Sequence, residues 1–266
     1  MKIGFIGCGN MGGALATAVK NANFNKEILL LDKNEELQNA LAAKLNAKTA
    51  TLFELIDTCS FIFIGVKPQG IESLASEIRE CFNKTQNKPV FISMLAGVQI
   101  SKLNGLLLGS AKIIRIMPNT PVSVNQGMIL YTYNDSVSAN EVETFVLMLK
   151  ESAVLSKLDE SLIDAGCAVS GCGPAFVYMF IDALAKGGQK SGLSYEDAIL
   201  YATQTVIGAS TLLKESKKSP DELKNAVCSP NGSTIEGVKS LEENDFYNVV
   251  IKAVQKSYER TKELGK

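Results

Sequence analysis

Two short stretches hold the residue types that grip anions. In "GFIGCGNMGGAL", Gly7, Gly9 and Gly12 stand in Gly-x-Gly-x-x-Gly spacing, after an apolar run and ahead of a helix-like one. That order lets the first glycine turn tightly, the second admit a pyrophosphate to the backbone, and the third pack helix against strand. The helix start adds unpaired N–H donors and the positive end of its dipole. Ile6, Gly7, Cys8, Gly9, Asn10 and Met11 are therefore the expected cofactor-binding residues at this turn. Far along the chain, "SPNGSTIEG" at 229–237 has similar ingredients. There Gly232, Ser233 and Thr234 would turn successive backbone amides toward a carboxylate. An ordinary helix cap by Ser233 or Thr234 would use the same residues.

Asp32 closes the second apolar run, twenty residues after Gly12. A carboxylate there accepts hydrogen bonds from the adenosine ribose of NAD and repels the 2′-phosphate of NADP. Lys33 beside it offsets part of that repulsion. The pair favours NADH and leaves NADPH open; a plain turn-capping role for Asp32 is the competing reading.

Histidine is absent from all 266 residues. This excludes Ser-His-Asp and Cys-His nucleophilic machinery and removes the commonest proton-transfer side chain at neutral pH. The six cysteines include no Cys-x-x-Cys pair. A zinc site would need cysteines gathered from distant segments, and no metal is expected. They read as small buried hydrophobes in a reducing cytoplasm. A net charge of −1 gives no bulk attraction to nucleic acid or to an anionic membrane. Inspection finds no apolar stretch of the ~18 residues that a membrane span needs. The N-terminus enters a strand directly, without a leader pattern. A cytoplasmic protein with a small-molecule substrate is expected.

These residues need a frame. Up to residue 157 the chain alternates strand-like apolar runs ("KIGFIG", "EILLLD", "SFIFIGV", "PVFISML", "AKIIRIM") with helical spacing. Continuous apolar strands alternating with helices predict an α/β domain with a mostly parallel, doubly wound sheet covered on both faces. From 158 to 266 the β-rich runs stop and helical spacing takes over. Gly192 and Ser194 mark a helix end and start, and Ser219-Pro220-Asp221-Glu222 is a strong helix start. Tyr178, Met179, Phe180, Ile181 and Leu184 ring one helix with apolar side chains. Such a helix is buried in a large core or in an interface, so this half is expected to form a homodimer. Gly187-Gly188 in the same helix suggests a close helix crossing at that interface.

The chain resembles the pyrroline-5-carboxylate reductase family. The likeness rests on "GFIGCGNMGGAL", "VKPQ" at 66–69, "RIMPNTP" at 115–121, and "SGCGPAFVY" at 170–178 followed by "SPNGSTIEG". It spans nearly the whole chain. It implies an N-terminal Rossmann domain (1–157), a helical substrate-binding and dimerisation domain (158–266), and reduction of 1-pyrroline-5-carboxylate to L-proline by NADPH or NADH. It also implies dimers that often assemble into decamers. By resemblance, Thr234 contacts the ring nitrogen, and its hydroxyl is the catalytic candidate; Ser229, Asn231, Gly232 and Ser233 complete the substrate loop. Glu160 matches a position near substrate, and could equally be a first-turn dipole partner. Val66, Lys67 and Pro68 would touch the cofactor ribose through the backbone, with Ala96, Gly97 and Asn119 near the nicotinamide end and Arg115 in a structural ion pair. A solvated Lys67 is the alternative. Two departures stand out. The family loop reads Ser-Pro-Gly-Gly where this chain has Asn231, and many relatives carry Asn where this chain has Ala226. Asn is the non-glycine residue most tolerant of left-handed backbone, so the loop shape is expected to survive.

Two competing readings share the plan. A β-hydroxyacid dehydrogenase would need a lysine base on the long second-domain helix, and "GPAFVYMFIDAL" has none before Lys186. A non-catalytic dinucleotide-binding relative is favoured only by the altered loop.

Overall fold

The computed structural model describes residues 1–107 and 109–264, and of Pro68 the backbone alone. It divides into two compact units, one of Met1–Cys172 with the chain from Ser257 on, the other Gly173–Lys256.

The first unit is built on one sheet in the order β3-β2-β1-β4-β5-β6-β7-β8. Its strands are β1 (Lys2–Ile6), β2 (Glu27–Leu31), β3 (Lys48–Thr49), β4 (Phe61–Ile64), β5 (Val90–Ser93), β6 (Lys112–Pro118), β7 (Gly127–Tyr133) and β8 (Ala153–Lys157). All neighbours run parallel except β6 and β7. The apolar runs explain this arrangement, since strands covered on both faces need apolar residues at every position. Phe5 and Phe63 stack at 4.5 Å on one face, in a core shared with Leu15 and Val19 of α1 (Asn10–Asn21). Ile6, Ile62 and Ile64 enter the opposite core with α3 (Leu52–Thr58), α4 (Ile71–Phe82) and α5 (Ile100–Leu106). The chain starts mid-sheet at β1, winds out to β3, then returns to β4 on the other side of β1. The crevice between β1 and β4 is where such sheets bind ligands.

The expected break at 157/158 falls inside the first unit. After α2 (Glu35–Leu45), α6 (Ala139–Leu149) and β8 comes α7 (Glu160–Gly166), which is fastened to the sheet by charge. Arg115 on β6 is 1% exposed, its guanidinium held by Glu160 at 3.3 Å and Asp164 at 2.5 Å. A π turn, Cys167–Gly171, follows.

The second unit is helical: α8 (Gly173–Lys190), α9 (Tyr195–Ser216), α10 (Pro220–Ala226), α11 (Ser233–Glu243) and most of α12 (Phe246–Leu264). Gly192 closes α8 at φ 103°, Ser194 caps α9 through the Asp197 N–H, and Ser219 with Glu222 forms a capping box on α10. Its buried apolar cluster among the described residues is slight: Ala185, Ala198 and Ala202, with Ile181 and Ile199 against them. Tyr178 is 62% exposed and Met179 72%. Three buried alanines cannot offset the entropy of ordering these helices, so the apolar faces need a second surface. Gly188 does sit at a close crossing, but within the chain: a Cβ there would lie 3.1 Å from Leu193 and 3.3 Å from Ala198. The helix running from Glu160 to Lys190 reaches a mean hydropathy of 1.5 over its most apolar stretch, long and apolar enough to cross a membrane. This differs from the expectation that no apolar stretch reaches the length of a membrane span.

Candidate active site

At the β1 end the chain turns through Gly7, whose φ is 103° and whose N–H donates to the Leu31 carbonyl at 2.8 Å. A Cβ at Gly7 would lie 2.6 Å from the Gly65 carbonyl oxygen, and one at Gly12 would lie 2.0 Å from that of Gly7. These two glycines let strand and helix touch. Gly9 differs: a Cβ there would meet nothing within 4 Å among the described residues. Gly9 is also the N-cap of α1, with no side-chain cap hydrogen bond among the described residues. The amides of Asn10, Met11 and Gly12 thus start the helix as orphan donors over an open cradle.

Asp32 is fixed beside this turn. Its carboxylate accepts from the Cys8 N–H at 2.5 Å and from the Asn34 N–H at 2.8 Å. It therefore caps a turn and also braces the glycine loop, with lone pairs left on both oxygens. Burial, then the Asp32 charge, pushes the Cys8 thiol up to about 11. Cys8 stays a neutral thiol, and its contribution here is its backbone.

A cavity of about 640 Å³ opens at this place, lined by Ile6, Gly7, Gly9, Asp32, Lys33, Val66 and Lys67. It brings together half of the expected cofactor residues; Cys8, Asn10 and Met11 of the glycine turn are not among its lining residues. Its other walls were not anticipated: Leu37, Leu52 and Leu74 supply an apolar side, and Glu77 a second carboxylate. They come from helices scattered along the chain, and nothing in their spacing marks them. Pro68 begins a 3-10 turn, Pro68–Gly70, fastened by Gly70 N–H to Lys67 O at 2.9 Å; its side chain lies outside the described residues. Lys67 itself is exposed.

Ala96, Gly97 and Asn119 are not among the cavity's lining residues. They sit beyond the ends of β5 and β6. Gly97 has φ 74°, and Ala96 packs on Met117, Leu130, Ile163 and Cys167. Asn119 is tied at both ends of its amide, donating to the Ser170 carbonyl at 3.0 Å and accepting from Met128 N–H at 2.9 Å. One amide hydrogen remains for a ligand. Glu160 accepts from the Ile100 N–H at 2.7 Å as well as from Arg115, so its carboxylate is engaged within the fold. The structural ion pair expected of Arg115 is present.

The second loop is shaped as expected where it departs from the family. Asn231 takes the left-handed conformation, φ 59°, and Gly232 is the N-cap of α11 with no side-chain cap hydrogen bond among the described residues. Neither Ser233 nor Thr234 is the cap. Gly232's own N–H is already given to the Ser229 carbonyl at 3.0 Å. The row of orphan donors therefore shifts by one residue, to Ser233, Thr234 and Ile235. Ser229 sets the turn: a Cβ on Gly232 would lie 2.4 Å from its Oγ. Ser233 and Thr234 are exposed.

The chain is 35% identical over 264 residues to pyrroline-5-carboxylate reductase of Aquifex aeolicus, covering 99% of this chain and 97% of that protein. The chain belongs to the pyrroline-5-carboxylate reductase family. The family model "Pyrroline-5-carboxylate reductase dimerisation" matches residues 160–264, and one described as "NADP oxidoreductase coenzyme F420-dependent" matches residues 2–97. Among solved structures, the reductase of Streptococcus pyogenes superposes with a TM-score of 0.89 at 30% identity, over 99% of this chain and 98% of that one. Plasmodium falciparum pyrroline carboxylate reductase with NADP bound gives 0.87 at 31%, over 100% and 98%. Membership accounts for the exposed apolar helices, because the second unit carries the family's dimerisation module and self-associates. It also sets aside the β-hydroxyacid dehydrogenase reading. The open Gly9 cradle and the uncapped α1 start suit a dinucleotide pyrophosphate.

Proposed function

We infer that this protein reduces 1-pyrroline-5-carboxylate to L-proline with NAD(P)H. The observation that carries the reading is the start of α11, where Asn231 at φ 59° and Gly232 at the N-cap keep an anion-holding turn in a chain of this family. A reduced nicotinamide supplies a hydride to the carbon of the C=N bond. The protein's share is positioning. The amides of Ser233, Thr234 and Ile235 hold the substrate carboxylate, with the dipole of α11 behind them. The Thr234 hydroxyl contacts the ring nitrogen, where electron density rises as the bond is reduced. The imine arrives already protonated from water, so the lack of histidine costs nothing. Asn231 and Ser229 shape the loop, and Glu160 serves substrate binding by anchoring α7.

Residues 1–157 act as the dinucleotide-binding domain and 158–266 as the substrate and dimerisation domain. Ile6 to Met11 hold the pyrophosphate, and Asp32 the adenosine ribose. Lys33, Val66, Lys67 and Pro68 border the ribose, while Ala96, Gly97 and Asn119 serve the nicotinamide end. Asp32 and Glu77 make NADH the preferred donor. Both carboxylates repel a 2′-phosphate and Lys33 offsets part of that repulsion, leaving a moderate preference. We place the protein in the cytoplasm, with no nucleic-acid or membrane partner, as a dimer that assembles further into a decamer; light scattering on the purified protein counts the chains.

Steady-state kinetics on pyrroline carboxylate with each cofactor test the reading. Proline formation with a higher kcat/KM for NADH is expected; absence of turnover with both cofactors overturns it.

A further inference from the structure

Cys167 and Cys172 belong to no role above, and the local backbone pairs them. In an α-helix, side chains five residues apart point well away from each other. Here the helix opens into the π turn Cys167–Gly171, and the Cys172 N–H donates to the Cys167 carbonyl at 3.0 Å. The wider turn stacks residue i+5 over residue i. The Cys172 thiol and the Thr261 side chain from α12 are among the polar groups that face the Cys167 thiol. Gly171 makes room for this, since a Cβ there would lie 3.0 Å from the Cys167 sulfur. The two differ in access. Cys167 is 7% exposed, and Cys172 is half-buried. Between them, Ser170 gives its carbonyl to Asn119, which ties the turn to the end of β6.

We propose that Cys167 and Cys172 are a modification site, forming a reversible disulfide that lowers turnover. The oxidant is a low-molecular-weight disulfide. The Cys172 thiolate, being the more accessible, attacks one of its sulfurs and expels the first small thiolate. The Cys167 thiol then gives up its proton and attacks the Cys172 sulfur, expelling the second. Two protein thiols are oxidised to one disulfide, and one small disulfide is reduced to two thiols that carry away the two protons. Burial first, then the charge at Cys172, pushes Cys167 up to about 11, with Asp164 adding to the rise and Thr261 opposing it. Cys167 is therefore suited to resolve rather than to begin the exchange. The bridge draws the Cys167 sulfur off Gly171 and reshapes the turn that Asn119 holds. The effect on turnover rests on the reductase reading; the bridge itself does not.

The test uses the full-length protein incubated with oxidised glutathione, then alkylated with iodoacetamide and digested without reductant. The peptide spanning both cysteines is expected to lose two hydrogens and to take no label at either. Activity is expected to fall at least about fivefold and to return with dithiothreitol. Cys172→Ser should match the reduced wild type and resist oxidation, and Cys167→Ser should stop at a glutathione adduct on Cys172. Label at both cysteines in the oxidised wild type, or a stable adduct at Cys172 without closure, overturns the bridge. A bridge that leaves activity unchanged overturns its control of turnover. A reduced protein with no turnover on pyrroline carboxylate sinks the reductase reading instead, and the peptide masses still decide the bridge.

Discussion

The helices α1 and α11 begin alike and are held differently. Each starts from a glycine N-cap in extended backbone, Gly9 at φ −64° and ψ −172° and Gly232 at φ −80° and ψ 167°. Each has a left-handed residue just ahead, Gly7 at 103° and Asn231 at 59°. The first turn is wedged between main-chain atoms just past β1 and β4: a Cβ on Gly7 would meet Gly65, and one on Gly12 would meet Gly7. The second is bounded by one residue, Ser229: a Cβ on Gly232 would lie 2.4 Å from its movable hydroxyl and 3.1 Å from its carbonyl oxygen. The first donor row is built by the sheet; the second is local, so its sequence can drift while its shape persists.

The sharpest way to break this comparison is to add one methyl group to each loop. In Gly12→Ala the new Cβ lies 2.0 Å from the Gly7 carbonyl oxygen, so α1 must retreat from β1. Overpacking of this kind costs ~1–3 kcal/mol and displaces the donors. NADH affinity by fluorescence titration is expected to fall at least about 100-fold, with Tm lower by roughly 3–10 °C. In Gly232→Ala the closest obstruction is the Ser229 Oγ, which can rotate, and the Ser229 carbonyl oxygen at 3.1 Å need give only a few tenths of an ångström. Tm should stay within about 1 °C, and KM for pyrroline carboxylate should rise less than about tenfold. Equal losses of Tm in the two variants would dissolve the distinction.

Side chains separate the loops next. Thr234 is exposed, so Thr234→Ala should leave Tm unchanged while kcat/KM for the imine falls about 100-fold, as expected for losing a hydrogen bond made to the reacting nitrogen. Thr234→Ser should restore most of it. Asp32→Ala acts at the other loop and through charge. It should raise KM for NADH and bring the NADH/NADPH ratio of kcat/KM about tenfold closer to one. Cys8 N–H also loses its acceptor, so KM for NADPH should not improve by the full amount. An unchanged ratio removes the assigned role of Asp32.

What could be read before folding follows from the same contrast. β1, β2, β4, β5 and β6 announce themselves because a strand covered on both faces has no polar positions to blur the run. β3 is two exposed residues, Lys48 and Thr49, and β8 is an edge strand with mixed burial; neither carries a pattern longer than chance. The glycine spacing located the first loop because each glycine is demanded by a neighbouring backbone atom or by open space. The capture of the Gly232 amide by Ser229, the wall of Leu37, Leu52, Leu74 and Glu77, and the π turn at Cys167 were not legible. Each depends on how distant or irregular backbone segments meet, and residue type does not encode that. The first compact unit also runs past 157/158, because the partners of buried Arg115, Glu160 and Asp164, lie beyond it.

The smallest expected effect is also the most direct probe of a loop that fixes its own shape. Asn231 sits at φ 59°, where a side chain with a Cβ costs about 1 kcal/mol relative to glycine, and Asn less than most. The residue is exposed, so substitution acts on the turn alone. Asn231→Ala should tilt the free loop away from the competent conformation and raise KM for pyrroline carboxylate by roughly fivefold, the factor that ~1 kcal/mol sets when only the competent fraction binds. Asn231→Gly supplies the family's residue and removes the Cβ cost, yet it adds freedom to the unbound loop. These terms oppose each other, so its KM should stay within about twofold of the parent. kcat should hold in both variants, because neither touches the Thr234 hydroxyl. If Ala and Gly behave alike, backbone handedness is not what positions the donors, and the Asn231 side chain must contact the substrate itself. Asn231→Asp then decides: a carboxylate placed against the substrate's own would raise KM far more than Ala does, whereas a residue acting through the turn alone would give nearly the parent value.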